Sequence, residues 1–195
     1  MQVLLGVRAF PKPQKKEAAS AAVRALLFEM LRSIGVDEAP AVEKEPGGRP
    51  FARFSHHRID FSFSHTDTLI ACAVAVAAED DPAPRVGVDI ELPHPRISPQ
   101  RIAERFFAPA EIRLLREHDF DADTFLDLWT KKEAYLKFTG TGLAHHLKET
   151  DTTAPDRLTP PVFFASFPLT DFPEAHLTLC LPRGVEAPQF AQFYH

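Results

Sequence analysis

Trp129-Thr130-Lys131-Lys132-Glu133-Ala134-Tyr135-Leu136-Lys137, followed by Phe138-Thr139-Gly140-Thr141-Gly142-Leu143, is the stretch around which the chain is organised. Its Ala, Leu, Lys and Glu content, with Leu126, Trp129 and Leu136 as apolar positions, predicts a helix from Asp123 to Phe138. On a helix, residues four apart share a face, so Trp129, Glu133 and Lys137 stand together as an anchor, an acid and a base. A solvated helix also favours Glu four residues before Lys, by a few tenths of a kcal/mol. Gly140 and Gly142 equally serve as a C-cap and a turn. The face therefore takes its meaning from what the rest of the chain sets beside it.

Upstream, Val86 to Glu91 reads as a strand. Residues two apart on a strand point to one side, so the carboxylates of Asp89 and Glu91 converge while Val88 and Ile90 face the core. Adjacent carboxylates repel and need either a raised pKa or a cation between them. Hard Mg²⁺ takes oxygen ligands of this kind together with substrate phosphates and water; an acidic strand end is the plainer account. Further back, Ile59, Phe61 and Phe63 alternate with Asp60, Ser62 and Ser64, the pattern of a strand with one buried face. Ser64 and His65 close it, as a phosphate contact or as a half-buried strand end. Arg49 after Gly47-Gly48 places a guanidinium behind a flexible loop, for a phosphate or for solvent. Lys132 and Lys137 offer point charges to phosphate oxygens, or belong to a solvated face. Lys12, Lys15 and Lys16 form a basic cluster at a helix start. His56-His57 and His145-His146 lack zinc spacing and read as loop residues. Ser64 and His65 with the remote Asp89 can be forced into a hydrolase triad, but no Gly-x-Ser-x-Gly elbow accompanies them.

The remaining pattern is α+β. Gln2 to Ala9 reads as a strand stopped by Pro11 and Pro13, and Lys15 to Ile34 as a helix ending at Gly35. Asp37 to Pro50 is a loop with a short strand, Thr68 to Ala78 a buried central strand, and Glu79 to Arg85 a linker. Ser98 precedes a helix with Pro99 in first position, and another helix runs from Pro109 to Glu117. Val162 to Phe167, His176 to Leu181 and Gln189 to Tyr194 read as strands of a C-terminal sheet. Each half thus has strands and one long helix. Among 195 residues, 17 are Phe, which requires a substantial apolar interior. A formal charge of −5 argues against a nucleic-acid partner. Both cysteines, Cys72 and Cys180, lie in apolar runs and read as buried free thiols of a reducing cytoplasm. No signal peptide is visible at Met1, and no apolar run reaches the roughly 18 residues that span a bilayer, so no membrane is expected.

Taken in order, these pieces resemble the 4′-phosphopantetheinyl transferases of the larger, monomeric, surfactin-synthetase-activating type. The resemblance rests on Gly48-Arg49-Pro50, Phe63-Ser64-His65-Thr66, Gly87-Val88-Asp89-Ile90-Glu91, Ile102-Ala103-x-Arg105-Phe106-Phe107, and Trp129-x-x-Lys132-Glu133-Ala134-x-x-Lys137 with Gly140-x-Gly142-Leu143. It covers roughly residues 47 to 143, and several weak motifs in order make a specific signal. Thr66 stands where Ser is usual and keeps the hydroxyl.

The resemblance implies two similar α+β halves, residues 1–84 and 85–195, related by a pseudo-twofold with coenzyme A in the cleft between them. It implies transfer of the phosphopantetheine arm of coenzyme A to a serine of an apo acyl or peptidyl carrier protein, releasing adenosine 3′,5′-bisphosphate. Asp89, Glu91 and Glu133 would hold Mg²⁺; Lys137, with Lys132, would offset developing charge; Glu133 would be the base for the carrier serine. Arg49, Ser64 and His65 would grip the phosphates, with Lys15 and Lys16 as the N-terminal basic candidates, and Phe106 and Phe107 would face the carrier. Two other classes compete. One is a catalytically idle relative that binds coenzyme A or a carrier protein, against which the intact Asp89, Glu133 and Lys137 weigh. The other is an unrelated Mg²⁺-dependent phosphohydrolase, for which no further signature is present.

Overall fold

Apolar alternation and helical spacing sort the chain into strands and helices largely where expected. The computed structural model describes residues 1–9, 16–141, 147–188 and 192–194. In chain order these form β1 (Gln2–Ala9), α1 (Lys16–Ser33), β2 (Glu43–Lys44), β3 (Pro50–Phe51), β4 (Arg58–His65), β5 (Leu69–Ala77) and β6 (Gly87–Glu91). There follow α2 (Pro99–Phe106), α3 (Pro109–Glu117), α4 (Ala122–Thr139), a 3₁₀ turn (Pro155–Arg157), β7 (Val162–Ser166), β8 (His176–Pro182) and β9 (Gln192–Tyr194).

The strands make a four-stranded sheet in the order β4-β5-β1-β9, a three-stranded sheet β6-β8-β7, and a ribbon of β2 with β3. Pairing is antiparallel except where β9 runs parallel to β1, setting Gly6 against Gln192 and Arg8 against Tyr194. This corrects the expectation that the last strand belongs to the C-terminal sheet. Alternation marks a strand without naming its neighbour, and here the chain returns to the first sheet.

Alternating residues then build the layers. Val3, Leu5 and Val7 of β1 and Leu69, Ala71, Ala73 and Ala75 of β5 face Val88 and Ile90 of β6 and Leu177, Leu179 and Leu181 of β8. The other faces go outward: Ile70, Cys72 and Val74 pack under Leu26, Leu27, Met30 and Leu31 of α1, and Val162 and Cys180 pack under Ala134, Leu136 and Phe138 of α4. The order is helix, sheet, sheet, helix. Each large apolar side chain buried in these layers contributes roughly 1.5 to 3 kcal/mol. A further cluster joins α2 and α3 to the first half of α4, with the rings of Phe107, Phe125 and Trp129 stacked at 5.5 to 6.1 Å between centroids.

The two sheets meet along edge strands. The polar face of β4, which alternation alone would give to solvent, is turned onto β6. Asp60 Oδ2 accepts from the Val86 N–H at 2.8 Å, Ser62 Oγ accepts from the Val88 N–H at 3.1 Å, and Ser64 Oγ donates to Asp89 Oδ1 at 2.7 Å. Side chains two apart thereby satisfy the open edge of β6. On its other side β6 carries α4 at very close range. A Cβ on Gly87 would run into the Ala134 carbonyl oxygen and lie 2.9 Å from Phe138 Cβ. Asp121 caps α4, accepting from the Thr124 N–H at 2.9 Å, and Gly140 ends it at φ 76°. Cys72 and Cys180 are buried free thiols, as expected. Among the described residues, no helix is long and apolar enough to cross a membrane.

Candidate functional site

The site forms where β4 ends, β6 passes and α4 turns its periodic face inward. Asp89 and Glu91, two apart on β6, both address α4. Trp129, Glu133 and Lys137, four apart on α4, address β6 in return. Trp129 Nε1 donates to Glu91 Oε1 at 3.3 Å. Lys137 Nζ donates to Asp89 Oδ1 at 2.6 Å and to Ser64 Oγ at 2.9 Å. With the Ser64 hydroxyl on the same Asp89 oxygen, three side chains from three elements close a triangle. Asp89 is only 2% exposed, and its second oxygen, Oδ2, is buried without a hydrogen-bond partner.

Charge in this corner is unbalanced. Burial, then the negative Asp89, push the Glu91 carboxyl up to about 7, although the Trp129 hydrogen bond and Lys137 pull the other way. Burial and Asp89 likewise push Glu133 up to about 8, with Lys137 offsetting part of the effect. Among the described residues, no three His, Cys, Asp or Glu side chains are gathered as a ready metal cage. The donor set nevertheless fits a hard divalent cation. Asp89 Oδ2 is unclaimed, and the carboxyls of Glu91 and Glu133 are held up by burial and then by the negative charge of Asp89, which a cation would neutralise. Beside the triangle opens a cavity of about 270 Å³ whose lining includes Gly47, Gly48, Arg49, Phe63, Lys137 and Gly140. Lys137 thus borders both the buried carboxylates and the open space.

Two other expected phosphate contacts are both buried and hydrogen-bonded. Lys132 is fully buried on the far side of α4, donating to Glu111 Oε2 at 2.6 Å and to the Thr150 carbonyl, with its ammonium 5.2 Å above the Phe107 ring. One residue along a helix is a turn of about 100°, so its neighbour Glu133 faces the site and Lys132 does not. Arg49 is also buried. Its guanidinium pairs with Asp60 and donates to the carbonyls of Val86 at 3.2 Å, Phe138 at 3.4 Å and Lys137. It closes the C-terminal end of α4, where carbonyls lack intrahelical partners, and borders the cavity at the same time.

Ser64 stands in the triangle with Asp89 and Lys137, and His65 is exposed at the end of β4. Phe107 belongs to the aromatic stack of the core, which corrects its expected place on a carrier-facing surface, while Phe106 is half-buried beneath Arg105. Lys15, Gly142 and Leu143 lie outside the described residues, and of Lys16 only its place as the first residue of α1 is described. Sequence reasoning missed Asp60, Ser62 and Glu111. The first two carried a signal, since they precede Ser64 at period two; Glu111 stood at the third position of a helix opened by Pro109, where an acid reaches back to the chain before it.

Residues 85–180 match the family described as the 4′-phosphopantetheinyl transferase superfamily. The chain is 33% identical over 141 residues to the 4′-phosphopantetheinyl transferase HetI of a Nostoc species, across 69% of this chain and 56% of that relative. It is 36% identical over 104 residues to the 4′-phosphopantetheinyl transferase gsp of Aneurinibacillus migulanus, across 51% of this chain and 38% of the relative. With a 4′-phosphopantetheinyl transferase of Bacillus subtilis it shares 33% over 131 residues, across 62% and 54%. The chain thus spans between 38% and 56% of the length of these relatives.

Proposed function

Since this chain belongs to the 4′-phosphopantetheinyl transferase superfamily, we propose that it transfers the phosphopantetheine arm of coenzyme A to a serine hydroxyl of an apo acyl or peptidyl carrier protein. This is an activity of the holo-[acyl-carrier-protein] synthase type, carried out in the cytoplasm by a monomer. The observation that carries the reading is the junction of Ser64, Asp89 and Lys137, with Glu133 and Glu91 beside it and a cavity at Lys137. The carrier serine oxygen bonds to the phosphorus that bears the pantetheine arm. The phosphoanhydride bond breaks, and adenosine 3′,5′-bisphosphate leaves.

Such a transfer needs alignment and charge neutralisation more than covalent help. Glu133 takes the proton of the serine, directly or through water. Lys137 offsets charge on the oxygens of the transferred phosphoryl group, at the price of loosening its contact with Asp89. Ser64 and His65 orient the phosphates of coenzyme A, and Lys15 and Lys16 take its 3′-phosphate. Asp89, Glu91 and Glu133 are the residues that would hold Mg²⁺, which supplies charge neutralisation on the pyrophosphate. In this reading residues 1–84 and 85–195 are halves related by a pseudo-twofold, with coenzyme A in the cleft between them.

Incubation with coenzyme A, Mg²⁺ and a panel of apo carrier proteins is expected to add a group of about 340 Da to a carrier, read by intact mass. Tight coenzyme A binding with no adduct on any carrier would replace the reading with a coenzyme A-binding regulatory module.

A further inference from the structure

Lys132 lies in the most distinctive stretch of the chain, yet the reaction leaves it without a role. Its surroundings supply one. The partner of Lys132, Glu111, is as fully buried as Lys132 itself. Besides Lys132, Glu111 Oε2 accepts from the Ala108 N–H at 2.8 Å, while Oε1 accepts from the Thr152 N–H at 2.9 Å and from Thr152 Oγ1 at 2.7 Å. Lys132 in turn donates to the Thr150 carbonyl. One ion pair therefore ties together the start of α3, the middle of α4 and the segment at Thr150 to Thr152. A buried charge tolerates little misplacement, because any donor or acceptor pulled off its partner has no water to turn to.

The pair is directional with respect to the site. Gly87 sets how closely α4 approaches β6, the Trp129–Glu91 and Lys137–Asp89 contacts restrain its roll from the side of the site, and the Lys132–Glu111 pair restrains it from the far side. Lys132 and Glu133 project about 100° apart, so holding the ammonium against α3 holds the carboxylate of Glu133 toward Asp89. A roll of roughly 20° would carry a group about 6 Å from the helix axis through about 2 Å. That displacement is enough to spoil the alignment of a proton transfer. The geometry points to Lys132 and Glu111 as positioning residues: their buried pair sets the roll of α4 and so aims Glu133 and Lys137 at Asp89. This inference rests on the transferase reading for its kinetic consequence but not for its structural one.

The test uses the full chain with both charges removed, as Lys132→Met with Glu111→Gln, whose amide oxygen keeps an acceptor for the Thr152 N–H and hydroxyl. Removing the partners together leaves no unpaired buried charge, which either single substitution would; the Ala108 N–H still loses its acceptor, which lowers stability, so far-UV circular dichroism establishes that the variant is folded before its kinetics are read. Chain-average stability is followed by urea unfolding and the aim of α4 by the near-UV circular dichroism of Trp129, the single tryptophan of the chain. The expected result is a folded protein with a lowered urea midpoint, an altered Trp129 signal, kcat lowered at least tenfold and KM for coenzyme A within twofold. A doubly substituted protein with parental kcat and an unchanged Trp129 signal overturns the proposal, as does a loss confined to KM. If the parent itself forms no carrier adduct, the transferase reading falls, and the Trp129 signal of the variant still decides whether the pair sets the helix.

Discussion

Glu133 and Glu91 carry carboxyls that burial and Asp89 hold at about 8 and about 7, above the ordinary carboxylate range. A raised carboxyl pKa favours the folded state most while the group is protonated. That contribution is complete below about pH 4.5, where the unfolded chain also binds the proton, and is lost as pH rises through 7 and 8. Without divalent metal, stability measured by urea unfolding is therefore expected to fall between pH 5 and pH 9, by on the order of 3 kcal/mol. Glu133→Gln should flatten that profile and Mg²⁺ should restore stability chiefly at the alkaline end; an unchanged slope in the variant would remove Glu133 as its source. Glu133→Gln and Asp89→Asn should each lower turnover at least about 100-fold while far-UV circular dichroism stays that of the parent. These two acids were legible in the sequence because the geometry behind them is local: period two on β6 and period four on α4. Lys132 and Arg49 were not, since a sequence shows that a cation is present but not that Glu111, 21 residues away, or the end of α4 claims it.

At the level of elements, the contact between β6 and α4 allows no side chain at Gly87. The variant Gly87→Ala must push α4 away, and a loss of about 1 to 3 kcal/mol is expected in urea unfolding, together with a loss of activity because Asp89 and Glu133 separate. Ser62→Ala removes the acceptor of the buried Val88 N–H, an unmet donor worth about 1 to 3 kcal/mol, and leaves the side chains of Asp89, Glu133 and Lys137 in place. Restored stability with a hydroxyl at this position, as in Ser62→Thr, would tie the effect to that hydrogen bond. Most strands and helices were legible here because their periods are properties of the segment alone. Partnership is not such a property. The second face of β4 looked like a solvent face until β6 was placed against it, and β9 announced itself as a strand without saying that β1, at the other end of the chain, was its neighbour.

Across the whole molecule, one apolar layer is shared by both sheets, in addition to the core that each half keeps beneath its own helix. Unfolding is expected to be a single transition, with Trp129 fluorescence and far-UV circular dichroism following the same curve in urea; separated curves would mean that the halves open independently. Arg49 adds a second tie between the halves, joining Asp60 of β4 to the carbonyls at the end of α4. Arg49→Met would strand Asp60 and cost about 3 to 5 kcal/mol. The two free thiols gain a use from the same layering. Cys72 lies beneath α1 and Cys180 beneath α4, both wholly shielded, and burial raises both thiols above their ordinary range. Only a thiolate reacts with an alkylating reagent, so each cysteine is silent until the helix above it lifts. The molecule thereby carries one stopwatch per outer face, and mass spectrometry of the labelled peptides, read against time, tells whether the two helices leave together or which of them goes first.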